Sequence, residues 1–391
     1  MRQLRPWTGV SVALLAAGLL ISAQPAVASA APKPVLPSVT DAVTSKLLGQ
    51  VERSGMSATA TGETRIKVDR QDGQWAFGTA VAVAPRIKDA HPTGAVFIAR
   101  ADAGRWQVAF DGEAAFSTLA ASSPLVTAQE RQVFKASPAL GTLAGNDMRT
   151  GMALPFAVGQ TWTLTGGPHG WGGGPPYSSI DLSGGDHVVR AARGGTAYTM
   201  CQGWIRVIHD RGYSTDYYHL WNSISVNGAG VGEGAYLGNT GTDVTCGGSA
   251  TGRHVHFGLR QNSAYVAITG HGIGKWEIVA GAAYQGGARH GSAWAPVGYG
   301  VYNYGALGFN QAVVDANGGG TLTRRSGPGS GYGAVGSVGD GGTVTISCSA
   351  NGTTHTGRYG ATALWNRLTD GSWVSDAYLW TGVNGPINGW C

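Results

Sequence analysis

Three catalytic signatures are missing from the 391 residues: His-Glu-x-x-His, Gly-x-Ser-x-Gly and Cys-x-x-Cys. The first absence removes the glutamate base of the common helical zinc proteases. The second leaves a serine hydrolase without its nucleophile turn. The third argues against a thiolate zinc clip. Charge is scarce as well, at 13% of residues, and the net +5 comes mostly from the front of the chain. Residues 1–150 hold 15 basic and 11 acidic side chains, and residues 151–391 hold 12 and 11, with Lys275 the single lysine of that rear part. No basic patch invites nucleic acid. No apolar run reaches the ~20 residues that a membrane anchor needs. The short run at residues 10–21 follows Arg2 and Arg5 and precedes Ala26-Val27-Ala28. It reads as the core of a secretory signal peptide, residues 1–28, with cleavage expected after Ala28 or Ala30.

Glycine is what the chain has in excess, and its distribution divides the sequence. Residues 1–150 contain 12 of the 65 glycines and no cysteine, whereas residues 151–391 contain 53 glycines, all four cysteines and 10 of the 13 tryptophans. That length allows about two or three domains. Residues 29–148 read as a small α+β domain, with strands at 79–83, 95–99 and 105–110 and a short helix at 113–121. An exported enzyme commonly carries such a segment as a propeptide, and the stretch 136–152 is an accessible place to cut. This part offers no chemistry of its own: His91, alone beside Pro92, reads as a surface residue.

The richest stretch is Thr251-Gly-Arg-His254-Val-His256-Phe-Gly-Leu259. Apolar Val255, Phe257 and Leu259 alternate with His254, His256 and Gly258, which is a strand signal. Side chains two apart on a strand share a face, so both imidazoles leave the side opposite the core. Upstream, the strand at 161–165 leads into a glycine-rich loop carrying His169, and the strand after that carries Asp181. His169, Asp181 and His256 make three protein ligands with a fourth position open, the arrangement of a catalytic zinc site rather than a structural one. Each taken alone reads more simply as a solvated or strand-end side chain.

Taken in this order, His169, Asp181 and His254-Val-His256 resemble the motifs of the lysostaphin-type zinc endopeptidases of bacterial cell walls (peptidase family M23). Within that family the β-lytic/staphylolysin branch is the most similar, through the His-to-Asp gap, the run Tyr177-Ser-Ser-Ile-Asp181 and a central cysteine pair. The resemblance covers about residues 150–285. It implies one zinc ion per catalytic domain, held by His169, Asp181 and His256, with His254 and His219 (in Thr215-Asp-Tyr-Tyr-His219) as catalytic residues. With no glutamate base available, a non-ligand histidine must take or relay the proton and steady the oxyanion. An unperturbed pKa near 6.5 suits both jobs. The sequence assigns these roles to the pair, not to either member. His187, His209, His271 and His290 lack matching context and read as surface or loop histidines.

An even cysteine count in an exported protein reads as disulfides. Of the three connectivities, Cys201–Cys246 and Cys348–Cys391 each stay within one expected domain. Residues 149–290 are then the peptidase domain and 291–317 a Gly-rich linker. Residues 318–391, with short strands and tight turns, look like a bacterial SH3-like barrel that binds the wall. Trp365, Trp373, Tyr378 and Trp380 are its candidate groove residues, with core packing the plainer role for at least half of them.

The expected fold class is mostly β: an antiparallel β-sheet groove in the peptidase domain plus a small SH3-like β-barrel, preceded by the α+β propeptide-like domain. The expected function is a secreted, monomeric zinc endopeptidase that cleaves peptide bonds of peptidoglycan, glycine-containing links by resemblance. Two alternatives stay open: a non-catalytic wall-binding protein with a structural metal, and a zinc N-acetylmuramoyl-L-alanine amidase.

Overall fold

The computed structural model describes residues 38–53, 62–135, 147–172 and 174–391. The expected signal peptide and residues 136–146 of the expected cleavage stretch lie outside the described residues. Among the described residues no helix is long and apolar enough to cross a membrane.

The front part begins with helix α1 (Val39–Arg53). The Ser38 hydroxyl accepts a hydrogen bond from the Asp41 amide (3.1 Å), satisfying one free N–H of the first turn. Val39, Val43, Leu47 and Val51 recur every four residues and are buried on one face. That face packs on a sheet of β1 (Thr64–Asp72), β2 (Trp75–Ala82), β3 (Thr93–Asp102) and β4 (Arg105–Phe110), paired in chain order. Helices α2 (Ala114–Ser122) and α3 (Ala128–Phe134) follow, and α3 opens with a capping box between Thr127 and Glu130.

The middle part is built from short strands. In chain order they are β5 (Thr161–His169), β6 (Ser179–Gly184), β7 (Val188–Arg190), β8 (Gly195–Cys201), β9 (Trp204–Ile208) and β10 (Tyr213–Tyr218). Then come β11 (Asn227–Val231), β12 (Tyr236–Asn239), β13 (Val255–Gln261) and β14 (Ala264–Tyr265). A small sheet of β15 (Gly272–Ile273), β16 (Trp276–Val279), β17 (Gly287–His290) and β18 (Ala293–Pro296) precedes β19 (Gly300–Tyr302). The main sheet has the order β11-β8-β9-β10-β13-β6-β5-β19, with β14 beside β13 and all pairings antiparallel. Period-two alternation sends Ile180, Leu182, Ile205, Val207, Tyr217, Val255, Phe257 and Leu259 into one core. The opposite face carries Tyr198, Trp204, Arg206, Asp216, Tyr218, His256 and Arg260, and these are buried too. What covers them is the front part: Phe77, Val96, Ile98, Phe116 and Phe134 share one apolar cluster with Trp171, Tyr198, Trp204 and Tyr218.

Residues 291–317, expected to be a Gly-rich linker, are tied into the sheets. β18 pairs with β17, β19 with β5, and β20 (Gln311–Val314) with later strands. Ala295, Val301 and Val313 are buried there, so apolar side chains at strand spacing outweigh the glycines. The last part is β21 (Thr321–Arg325), β22 (Ala334–Gly339), β23 (Thr343–Gly357), β24 (Gly360–Leu368), β25 (Trp373–Ser375) and β26 (Leu379–Trp380). They form one sheet in the order β22-β21-β25-β24-β23-β20-β26. Both disulfides are Cys201–Cys246 and Cys348–Cys391.

Candidate metal centre

Strand pairing brings the three expected ligands together. His256 on β13 lies opposite Asp181 on β6, and β6 in turn pairs with β5, where His169 lies opposite Ser179. His169 is the last residue of β5 rather than part of a loop. The glycines before it serve close approach: a Cβ on Gly166 would meet the Asp181 carboxylate at 2.5 Å, and one on Gly167 the Gln285 carbonyl at 1.9 Å. His256 Nδ1 is 3.0 Å from Asp181 Oδ1 and 3.1 Å from His169 Nε2, and His169 Nε2 is 3.6 Å from Asp181 Oδ2. Ligands at 2.0–2.1 Å around a tetrahedral ion stand about 3.4 Å apart, so these atoms are spaced as a zinc set would be. The His169 Nδ1–H donates to the Gly167 carbonyl (2.8 Å). A carbonyl only accepts, so the His169 proton sits on Nδ1 and the Nε2 lone pair faces the other two ligand atoms. Two imidazoles and a carboxylate converging in this way fit a divalent metal.

His219 and His254 complete the cluster, with ring centroids 4.8 Å apart. His219 follows β10 directly, in a left-handed backbone conformation (φ 68°) that turns its ring toward the ligands. Its Nδ1–H donates to the Asp243 carbonyl (2.8 Å), and the His254 Nδ1–H donates to the Gly252 carbonyl (2.7 Å). By the same carbonyl argument each ring keeps Nε2 for the site, and His254 Nε2 lies 3.7 Å from Asp181 Oδ1. Burial, reinforced by the neighbouring His254, pushes the His219 pKa down to about 4.

Several residues at the site escaped the sequence reading. Tyr284 stacks on His169 at 4.0 Å, and Trp171 lies against His256 at 4.8 Å. His91, expected at the surface, stacks on His256 with ring centroids 4.3 Å apart and planes 17° apart. Burial, followed by the neighbouring imidazoles, holds its pKa well below the ordinary histidine value. Of the four histidines expected at the surface or in loops, three correct the surface reading. His209, His271 and His290 are buried, and the rings of His209 and His290 donate to the carbonyls of Gly194 and Lys275. His187 is half-buried against Thr240.

The four candidate wall-binding aromatics do not share one groove. Trp365 and Tyr378 line a cavity of about 190 Å³ together with Arg325, His355 and Ser375. Trp365 is otherwise packed, with its indole N–H on the Thr353 carbonyl (2.8 Å). Trp380 is buried with Leu307 and Val313, against Gly272 of the middle part. Trp373 sits on β25, half-buried opposite Arg325.

Three candidate metal ligands beside two further imidazoles, on an antiparallel sheet, define a candidate hydrolytic metal centre. No family model matches the chain. It is 36% identical over 141 residues to protease LasA of Pseudomonas aeruginosa, a match covering 33% of this chain and 34% of LasA. It is 32% identical over 147 residues to the β-lytic metalloendopeptidase of Lysobacter enzymogenes, covering 34% of this chain and 83% of that protein. Among solved structures it is similar to pseudoalterin, a deep-sea M23 metalloprotease, at 31% identity, 39% of this chain, 97% of pseudoalterin and a TM-score of 0.37. The chain thus belongs to the M23 metallopeptidase family of the β-lytic metalloendopeptidase, through about a third of its length, and it spans about a third of LasA. Membership implies a metal.

Proposed function

We propose that the protein is a secreted zinc metalloendopeptidase that hydrolyses peptide bonds of bacterial peptidoglycan, glycine-containing cross-bridges in particular. The observation that carries this reading is the convergence of His169 Nε2, Asp181 and His256 Nδ1 within 3.0–3.6 Å, with His219 and His254 beside them. His169, Asp181 and His256 would hold the zinc, which supplies Lewis acidity toward the scissile carbonyl and a water acidified to a pKa near 7. The rest falls to the chain's own side chains. His219, kept neutral by burial and with Nδ1–H tied to Asp243, presents Nε2 as a proton acceptor. His254, held by the Gly252 carbonyl, has its Nε2 at the Asp181 side of the site, where it can relay the proton or face the developing oxyanion. Two disulfides suit an oxidising compartment and support secretion.

Residues 318–391 are proposed as an SH3-like module that keeps the enzyme on the wall. It would raise local substrate concentration without altering the chemistry. The test is digestion of purified peptidoglycan, with and without glycine cross-bridges, by the chain cut once within residues 136–146. Mass spectrometry of the fragments should reveal new glycine amino ends, absent with His256→Ala or a chelator. Free lactyl ends would make the protein an amidase, and binding without cutting a wall-binding protein.

A further inference from the structure

The segment between β2 and β3 leaves its own sheet and runs over the metal centre. The Ala84 amide donates to the Cys246 carbonyl (3.0 Å), and the Gly248 amide donates to the Pro85 carbonyl (3.1 Å). Such a pair of backbone bonds is how an extended peptide docks on a backbone edge. The fit is backbone to backbone. A Cβ on Gly247 would meet the Ala84 carbonyl oxygen at 2.0 Å, and one on Gly248 the Ala90 oxygen at 2.3 Å. Further along, the Tyr284 hydroxyl donates to the Asp89 carboxylate (2.5 Å), while the same Tyr284 ring stacks on His169. His91 then lies flat on His256, 5.8 Å from His219 and 5.6 Å from Trp171. The segment is anchored on the far side by the Trp171 indole N–H to the Pro92 carbonyl (2.8 Å) and by Arg206 to the Gly94 carbonyl (2.9 Å).

We propose that residues 84–92 are a tethered inhibitor lying in the substrate path. On this assignment the backbone edge at Cys246–Gly248 and the Tyr284 hydroxyl form the subsite that a substrate peptide takes once the segment withdraws. The inference rests on the endopeptidase reading and adds to it a place for the peptide. A ring stacked at 4.3 Å on His256 excludes any other group from that face of the ligand. The closed arrangement also carries a cost that favours release. His91 Nδ1 and His256 Nε2 are both enclosed without a hydrogen-bond partner, and a buried polar atom left unpaired is destabilising. Glycine at 247 and 248 is what a site for an incoming backbone requires, and a substrate of glycine-containing peptide needs no side-chain pocket there.

The experiment uses the full-length, zinc-loaded chain, unaltered and as the Asp89→Ala/His91→Ala double variant. Two rates are read: removal of zinc by the small chelator dipicolinate, and hydrolysis of pentaglycine. The double variant should lose zinc at least tenfold faster and cut at least tenfold faster than the unaltered chain. Faster zinc loss without any hydrolysis keeps the tethered inhibitor and sinks the endopeptidase reading. Equal zinc loss, with the unaltered full chain cutting as fast as chain cut within 136–146, overturns the inhibitor and keeps the endopeptidase. A measurement needing no variant guards against misfolding: hydrogen exchange at the Gly248 amide of the unaltered chain. Protection there is expected, and exchange at the rate of an open loop contradicts the docking.

Discussion

The front part and the last sheet both pack on the middle part, and they do so in different ways. The last sheet keeps its own core, of Val314, Leu322, Ile346, Val374 and Leu379, and reaches across through Trp380 with Leu307 and Val313. Its other ties are polar: the Tyr359 hydroxyl to Glu277 (2.8 Å), and Asp340 accepting from Ser292. The front part also has a core of its own, between α1 and one face of its sheet, but its other apolar side chains share a second cluster with the face of the main sheet around His256, the groove face. Buried charges cross that boundary too. Arg206 pairs with Asp216 (2.8 Å) and lies 3.7 Å from Asp111 of the front part; Asp111 in turn pairs with Arg260 (3.1 Å). Glu130 pairs with Arg70 and accepts from the Tyr198 hydroxyl (2.8 Å). The difference teaches that the groove face is closed only while the front part is present. Its departure would bare an aromatic and arginine-bearing floor around the metal centre, whereas loss of the last sheet would leave that centre as it is.

The largest expected effects separate the centre from both covers. His256→Ala or Asp181→Ala should remove bound zinc and hydrolysis together, checked by metal analysis and a pentaglycine assay on cut chain. His219→Ala and His254→Ala should keep the zinc and lower kcat by about 10²–10⁴-fold, the usual worth of a positioned acid or base. Zinc loss in either of these two would reassign it as a ligand. At the boundary with the front part, Arg206→Ala should cost the full chain about 3–5 kcal/mol by leaving the buried Asp216 carboxylate without its arginine, as read by denaturant unfolding. On the last sheet, Arg324→Ala removes only a partly exposed ion pair with Asp370 and should cost less than about 1 kcal/mol. Equal costs at the two positions would erase the contrast.

A pH effect falls between these. Burial pushes the His209 pKa down from 6.5 to about 4, so the folded state resists a proton that the unfolded chain accepts. Its contribution is complete above pH 6.5 and is lost as pH falls toward 4, at most about 3 kcal/mol. Unfolding midpoints measured across that window should decline, and less steeply in His209→Asn.

The convergence of the candidate ligands was legible because their residue types and alternation are local: His254-Val-His256 writes its face into the sequence, and Asp181 sits beside Ile180 and Leu182 in the same way. The glycines at 166 and 167 misled, since they mark close contact with Asp181 and Gln285 rather than a loop. His91 could not be read at all. It reaches His256 across 165 positions from a different sheet, on a connecting segment with no periodicity, and only its neighbour Pro92 hinted at an extended path. His209 and His290 look like surface residues because polar neighbours flank them. What buries them is covering by distant strands, and what makes burial tolerable is a backbone carbonyl at hydrogen-bond distance. Trp380, offered as a groove residue, is apolar mortar between two sheets, a role that composition alone does not distinguish from binding.

Zinc content of the purified full chain tests the central claim most directly, compared across the unaltered protein, His256→Ala and His91→Ala. The account predicts one zinc per chain in the unaltered protein, none in His256→Ala, and one in His91→Ala that a chelator removes faster. Zinc retained in His256→Ala, or absent from the unaltered chain at neutral pH with zinc supplied, would contradict it.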